Sequence, residues 1–416
     1  MLDKFFDSSA GGRARVRSLR NGSHGSLLDS FSRELFHSRY ATITARRHIR
    51  SAEHFVHVAV DNGLPLSQWN DHALKKFFRH CKGRRCSYGH NEPENQVTGA
   101  RLFLIHLRAT GIITAPLVDP PHSPSLLVAF RCWMHDQRGT CDATLANYDA
   151  AIRALLDALG EDPGRFEARG LRRYFLKYCA GRGHVVIKHA ATAFRMFLRF
   201  LITQGLCPSG LEAAIPLLPH WRLTSLPRYL QPEEVERVVA SCKPTTAVGK
   251  RNRAILLLLA RLGLRAGDIV QLRLTDIDWK GAWIRVTGKG RRQTRLPLSK
   301  EVGEALVDYL RNGRPRTDGD HVFVWCRAPY RPFTSHGAVS VMVAQTMRRA
   351  GVTPPSRGAA HLLRHSVATS LLRQGASLAD IAALLRHRSI QTTQIYAKVD
   401  VRALGQIAQA WPEVLS

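Results

Sequence analysis

Two proline-rich breaks constrain this chain more than any other feature. One runs from Pro116 to Pro124, and the other from Pro216 through Pro219 to Pro227. Proline has no amide hydrogen and pushes its preceding neighbour out of helical angles, so neither stretch suits the interior of a helix or central strand. The 416 residues are thereby cut into three segments, each long enough to bury a core. Ahead of the second break, apolar residues recur at helical spacing. Residues 1–30 are rich in Gly, Ser and Arg with little periodicity, and predict a flexible basic arm. Residues 31–115 and 124–212 predict two helical domains, with a linker over 213–228.

The third segment, 229–400, has a mixed pattern. Gln231-Pro232-Glu233-Glu234 suits a first helical turn, and Ala254 to Leu264 predicts a buried helix. Trp283–Thr287 and Gln293–Leu298 predict two strands around the turn Gly288-Lys289-Gly290. Helices are predicted near 300–312, 336–350, 361–373 and 377–386. In the tail, 401–416, Leu404, Ile407, Ala408 and Trp411 share one helical face, which suits docking on a neighbouring subunit or on its own domain.

The two N-terminal helical segments resemble copies of one unit. Thr44, Ala52, Phe55, Val56 and Ala59 align with Thr144, Ile152, Leu155, Leu156 and Leu159. The run ending at Cys81 aligns with that ending at Cys179, and Phe103, Leu104, Leu107 and Gly111 align with Phe197, Leu198, Leu201 and Gly205. Amphipathic helices share apolar periodicity by default, so chance similarity stands beside duplication.

Lys and Arg number 61 against 32 acidic residues, a formal charge of +29. Such a surplus repels itself unless a polyanion neutralises it, which points first to nucleic acid and second to an anionic surface. The apolar run Ala254–Ala260 is too short to span a bilayer. Met1–Arg20 lacks the apolar stretch of a signal peptide. The eight Cys do not fall at disulfide-like spacings, so a reduced, cytoplasmic, nucleoid-associated protein is expected. His80-Cys81-x4-Cys86-x3-His90 holds the residue types of a zinc site, but its spacing is irregular. A packing thiol beside a basic loop is the preferred reading, with no metal and no cofactor.

Four stretches of the third segment resemble the tyrosine recombinase (phage integrase) family. Ala260-Arg-Leu-Gly-Leu-Arg265-Ala-Gly-Asp268 is similar to its first arginine box, and Thr287-Gly-Lys289-Gly-Arg-Arg-Gln-Thr-Arg-Leu-Pro-Leu298 to its lysine hairpin. His361-Leu-Leu-Arg364-His365 resembles the second box, and Leu385-Arg-His387 with Thr392-Thr393-Gln-Ile-Tyr396 the last. One departure is visible: Arg386 stands where the family usually has Gly. The resemblance implies a multidomain, mainly α chain. A helical, SAM-like core-binding N-terminal region, here duplicated, would precede a mixed α/β catalytic domain with a small antiparallel sheet. It further implies double-stranded DNA at specific recombination sites as partner, a homo-tetramer on that DNA, and strand exchange through a Holliday junction. Helper recombinases are a further partner class, and no membrane is involved.

The chemistry suits those residues. A phosphodiester resists attack because its non-bridging oxygens are charged, so a transferase must neutralise them, supply a nucleophile and protonate the leaving oxygen. Arg265 and Arg364 are planar, permanently charged donors for those oxygens. His361 and Arg364, three apart on a helix, share one face. By resemblance Tyr396 is the nucleophile and Lys289 the general acid. His361 assists Tyr396 in proton transfer, His387 bonds the phosphate, and Asp268 orients a basic side chain. Two rivals stay open: a type IB topoisomerase with the same chemistry, and a DNA-binding regulator with an inactive site. A metal-dependent nuclease is disfavoured, because the segment shows no carboxylate cluster at ligand spacing.

In the segment 31–113, Arg46, Arg47, Arg50, Lys75, Lys76, Arg79, Lys82, Arg84 and Arg85 suit phosphate contacts. The expectation is a DNA-binding or assembly domain additional to the core-binding one.

Overall fold

The computed structural model describes residues 1–6, 9–83, 92–114, 124–218, 226–288, 293–399 and 405. Lys289, Cys86, His90 and the apolar face of the tail lie outside the described residues. The chain divides into two compact units, residues 1–113 with 223–416, and residues 114–222. Three large hydrophobic cores and one small one form separately within them.

The first core is built by six helices: α1 (Leu2–Phe5), α2 (Ala10–Asn21), α3 (Gly25–His37), α4 (Thr42–Asp61), α5 (Asp71–Gly83) and α6 (Pro93–Ala109). The expectation of a flexible arm over residues 1–30 is therefore corrected. Leu2, Phe5, Val16, Leu19 and Leu28 are all buried with Phe31, Phe55 and Phe103. The apolar residues of the first thirty are too sparse to show a period, but nearly all of them turn inward. Ser9 caps α2 by accepting the Gly12 amide at 3.0 Å, and Arg15 pairs with the buried Glu53.

The second unit holds α7 (Ser125–Arg138), α8 (Asp142–Leu159), α9 (Ala168–Cys179) and α10 (His184–Thr203) around Phe130, Ile152, Leu155, Phe194 and Phe197. Its order of elements repeats that of α3 to α6. In each, a short 3-10 turn (Leu66–Gln68, Pro163–Arg165) joins the second helix to the third. Phe103, Leu107, Phe197 and Leu201 are all fully buried. Gly111 and Gly205 follow their helices in the left-handed region, at φ 73° and 70°. The correspondence is one of arrangement and not of shown descent.

The third segment folds around α12 (Ala247–Arg261), which follows α11 (Pro232–Ala240). Every residue from Ala254 to Leu259 is fully buried, so α12 has no solvent face there and must lie central. Thr246 caps it through the Gly249 amide at 3.0 Å. After α13 (Ala266–Gln271) come β1 (Ile277–Asp278), β2 (Trp283–Thr287) and β3 (Gln293–Pro297), an antiparallel sheet in that order. Ile284 pairs with Leu296, and Thr287 with Gln293. Ile284, Val286 and Leu296 face the core, at 0, 3 and 4% exposure, while Arg285 turns away to Asp276. The helices α14 (Lys300–Asn312), α15 (His336–Arg349), α16 (Ala359–Arg373) and α17 (Leu378–Leu385) complete the segment, α14 and α16 packing on α12. A smaller core of Ala368, Leu372, Ile381 and Leu385 closes over Tyr396.

The approach of α6 to α4 depends on Gly99, where a Cβ would stand 2.5 Å from that of Ser51. Gly99→Ala is expected to lower the hydrogen-exchange protection of α4 and α6 by about 1–3 kcal/mol, because neither helix can yield without opening the core. Gly170→Ala in α9, where a Cβ meets nothing within 4 Å, serves as the control and should leave protection unchanged or slightly raised.

Candidate active site

Three segments distant in sequence meet at the end of α12. The first is the turn Leu262–Arg265. Gly263 sits at φ +59° and faces Leu385, whose Cδ2 would lie 2.7 Å from an added Cβ, so both backbone angle and space require glycine. Arg265 stands at the start of α13, and the Asp268 carboxylate accepts its backbone amide at 2.8 Å.

The second is α16, whose consecutive turns carry His361, Arg364 and His365. Arg364 is 2% exposed and donates to the carbonyls of Gly263 and Leu385. His361 stacks edge-on against His365 with ring centroids 4.7 Å apart.

The third begins where α17 ends. Arg386 adopts the left-handed conformation, φ +53°, the geometry that glycine meets without strain. Its guanidinium reaches the same Asp268 oxygen at 2.6 Å, and both side chains are 7% exposed. The Arg386 carbonyl accepts from Arg265 Nη2 at 3.2 Å. Beyond the turn, His387 Nδ1 meets Thr393 Oγ1 at 2.8 Å. The short helical turns Ile390–Thr392 and Gln394–Val399 then bring Tyr396 beneath α16. Its ring is 2% exposed and its hydroxyl lies 2.8 Å from His365 Nδ1.

A cleft of about 520 Å³ opens beside this cluster, lined by Arg265, Asp268, Thr287, Gly288, His336 and His361. Of the residues predicted from sequence, Arg265, Asp268, His361, Arg364, His387 and Tyr396 come together here. Lys289 follows Thr287 and Gly288 of the cleft wall but is itself outside the described residues. His365, Arg386 and Thr393 were not predicted to be in the site. The spacing of His365, four after His361, was the available signal, since both then lie on one side of α16. For Arg386 the signal was a bulky residue at a position expected to need glycine.

The site is strongly cationic. Burial, then Arg265 and Arg386, pushes Arg364 down to about 9, so it still carries its charge at neutral pH. Burial, then Arg364 and Arg265, holds His387 at about 4, and burial, His361 and Arg364 do the same for His365. Desolvation in the cleft, then Arg364 and Arg265, lowers His361. Burial raises Tyr396 to about 12 against the pull of Arg364. Among the described residues, Arg386 pairs its guanidinium with Asp268 while those of Arg265 and Arg364 are held by backbone carbonyls, an excess of positive charge suited to an incoming anion. In the first core, by contrast, the buried Cys81 thiol donates to Gln96 Oε1 at 3.5 Å.

Residues 228–402 match the phage integrase family. The chain is 37% identical over 320 residues to an integrase/recombinase of Sinorhizobium fredii, y4rA, covering 75% of this chain and 78% of the relative. The chain belongs to the phage integrase family of tyrosine recombinases. It is therefore an enzyme that cuts and rejoins DNA strands. The recombinase is also 30% identical over 273 residues to the tyrosine recombinase XerD of Halalkalibacterium halodurans, covering 63% of this chain and 89% of that one. Its fold matches a XerH site-specific recombinase crystallised with a palindromic difH substrate at a TM-score of 0.56 and 18% identity, over 84% of this chain and 96% of that one.

The left-handed Arg386 gives a stability prediction for the recombinase. Arg386→Ala leaves Asp268 buried without its cation and keeps the unfavourable φ, so a loss of about 3–5 kcal/mol in denaturant unfolding is expected. Arg386→Gly loses the same pair but relieves the backbone, and should be about 1–2 kcal/mol more stable than the Ala variant. A second prediction concerns pH. His48, His365 and His387 are held at about 4 in the folded chain, while unfolded imidazoles titrate near 6.5. Between those values the unfolded state binds more protons, so stability is full above about 6.5 and falls as pH drops toward about 4. Melting temperatures across this window should fall, and replacing all three histidines with Gln should flatten the slope.

Proposed function

We propose that this recombinase breaks a DNA strand by attack of Tyr396 on the scissile phosphate, leaving a 3′-phosphotyrosyl bond that a 5′-hydroxyl later reverses. One observation carries the reading: the Tyr396 hydroxyl is buried beside the Arg265, Arg364 and Arg386 cluster, which among the described residues has one carboxylate to balance it. A phosphodiester supplies the missing negative charge. In this reading Arg265 and Arg364 stabilise the charge that builds on the non-bridging oxygens as phosphorus becomes five-coordinate. His361 and His387 bond the phosphate from either side, and Lys289 protonates the leaving 5′-oxygen. Asp268 acts through Arg265 and Arg386, fixing both. Phenol is a better leaving group than a sugar hydroxyl, so the covalent bond keeps the energy needed for rejoining and no nucleotide triphosphate is required.

The complex proposed is a tetramer that exchanges strands through a Holliday junction at specific sites. A tetrameric lambda integrase has been solved on such a junction, and its fold covers 78% of this chain at a TM-score of 0.50. Residues 124–212 are assigned to core binding and 229–400 to catalysis. Residues 31–113, with their exposed Arg50, Lys75, Lys76, Arg79 and Lys82, are assigned to flanking DNA or to assembly.

The test uses duplex DNA spanning each end of the genetic element that carries the gene, nicked near the expected crossover. Wild-type protein should leave a covalent adduct on a denaturing gel, with or without EDTA, because guanidiniums carry the charge neutralisation. Tyr396→Phe should bind with affinity within about twofold and give no adduct. An adduct at wild-type level in that variant overturns the reading. Products joined between two sites separate a recombinase from a topoisomerase, which reseals only its own strand.

A further inference from the structure

We propose that His365 is the direct partner of the nucleophile, accepting the Tyr396 hydrogen bond at Nδ1 and taking the phenolic proton as the bond to phosphorus forms. This rests on Tyr396 being the nucleophile. The family resemblance led to His361 as the group assisting Tyr396, but the geometry separates the two histidines. His361 lines the cleft, whereas His365 Nδ1 stands 2.8 Å from Tyr396 Oη, with ring centroids 5.6 Å apart in an edge-on arrangement. The four-residue spacing on α16 produces this split. One imidazole faces the substrate space, and the next turn delivers the other to the buried tyrosine.

The surroundings suit an acceptor. His365 is neutral at physiological pH because burial, His361 and Arg364 disfavour its cation. With its proton on Nε2, the ring offers the Nδ1 lone pair to the hydroxyl. The phenol, pushed up to about 12, does not ionise unaided, and so weak a base does not strip it in the free protein. A scissile phosphate changes the balance, since its negative charge beside Arg265 and Arg364 makes protonation of His365 less costly. The proton therefore moves when DNA is bound, in step with attack. Tyr396 Oη bonds to phosphorus, its proton passes to His365 Nδ1, and the P–O5′ bond breaks with its electron pair on O5′. That oxygen takes a proton from the general acid assigned to Lys289. In rejoining the same transfers run backward.

Two substitutions separate holding from proton uptake. Asn places an amide oxygen near the position of Nδ1 but has no useful basicity, while Ala removes both. Full-length protein carrying ring-13C tyrosine is followed by NMR, with the Tyr396 signal assigned by its loss in Tyr396→Phe. In free protein His365→Asn should keep the Tyr396 Cζ signal and its titration near wild type, and His365→Ala should shift both. His361→Ala should leave the signal in place. On the nicked DNA described above, His365→Asn and His365→Ala should both slow adduct formation about 100-fold. An unmoved Tyr396 signal in His365→Ala overturns the proposal whatever the DNA result, as does a wild-type adduct rate in His365→Asn. An adduct that survives Tyr396→Phe instead overturns the nucleophile assignment, and the NMR result then stands apart from it.

Discussion

The structure of the site depends on one turn, Leu385-Arg386. Its two backbone carbonyls accept the guanidiniums of Arg364 and Arg265, while its own side chain returns to Asp268. Buried guanidiniums are costly unless their donors are paired. Here the pairing uses backbone oxygens, which give direction without cancelling charge. The arginines are thereby fixed in place yet keep most of their positive field for a substrate. Among the described residues Asp268 offsets part of it, through the start of α13 and the Arg386 side chain.

That arrangement explains why glycine and arginine occupy their two turns. Gly263 must let Leu385 approach, so the turn after α12 can offer its carbonyl to Arg364. Arg386, in a backbone conformation that favours glycine, accepts conformational strain. Its guanidinium compensates by locking the last box onto the first arginine box, and two of its nitrogens, Nε and Nη1, are buried with no partner among the described residues. The departure from the family pattern is thus an added strut between segments 118 residues apart in sequence.

Positioning of Tyr396, the proposed nucleophile, follows from the same packing. Tyr396 is carried on short helical turns and not on a long helix, so its place depends on the small core of Ala368, Leu372, Ile381 and Leu385. Leu385 serves both tasks: its side chain packs in that core and its carbonyl holds Arg364. Disturbing either therefore disturbs the other. The paired histidines of α16 stand one at the cleft and the other at the buried hydroxyl.

Much of this was legible in the sequence. The breaks at Pro116–Pro124 and Pro216–Pro227 fall between the three large cores, because proline disrupts a helix interior and turns the residue before it away from helical angles. The strands Trp283–Thr287 and Gln293–Pro297 and the buried helix through Ala254–Leu259 were readable from period and turn chemistry, which are local. That Arg265, Arg364 and Tyr396 belong to short local motifs was readable too, and the structure brings the three together. The helices of the first thirty residues were not, since Leu2, Phe5, Val16 and Leu19 gain meaning only against the partners that bury them. Nor was the choice of His365 over His361 at the tyrosine hydroxyl, or the bond from Arg386 to Asp268. Each is a contact between segments far apart along the chain, and tertiary packing alone sets such distances.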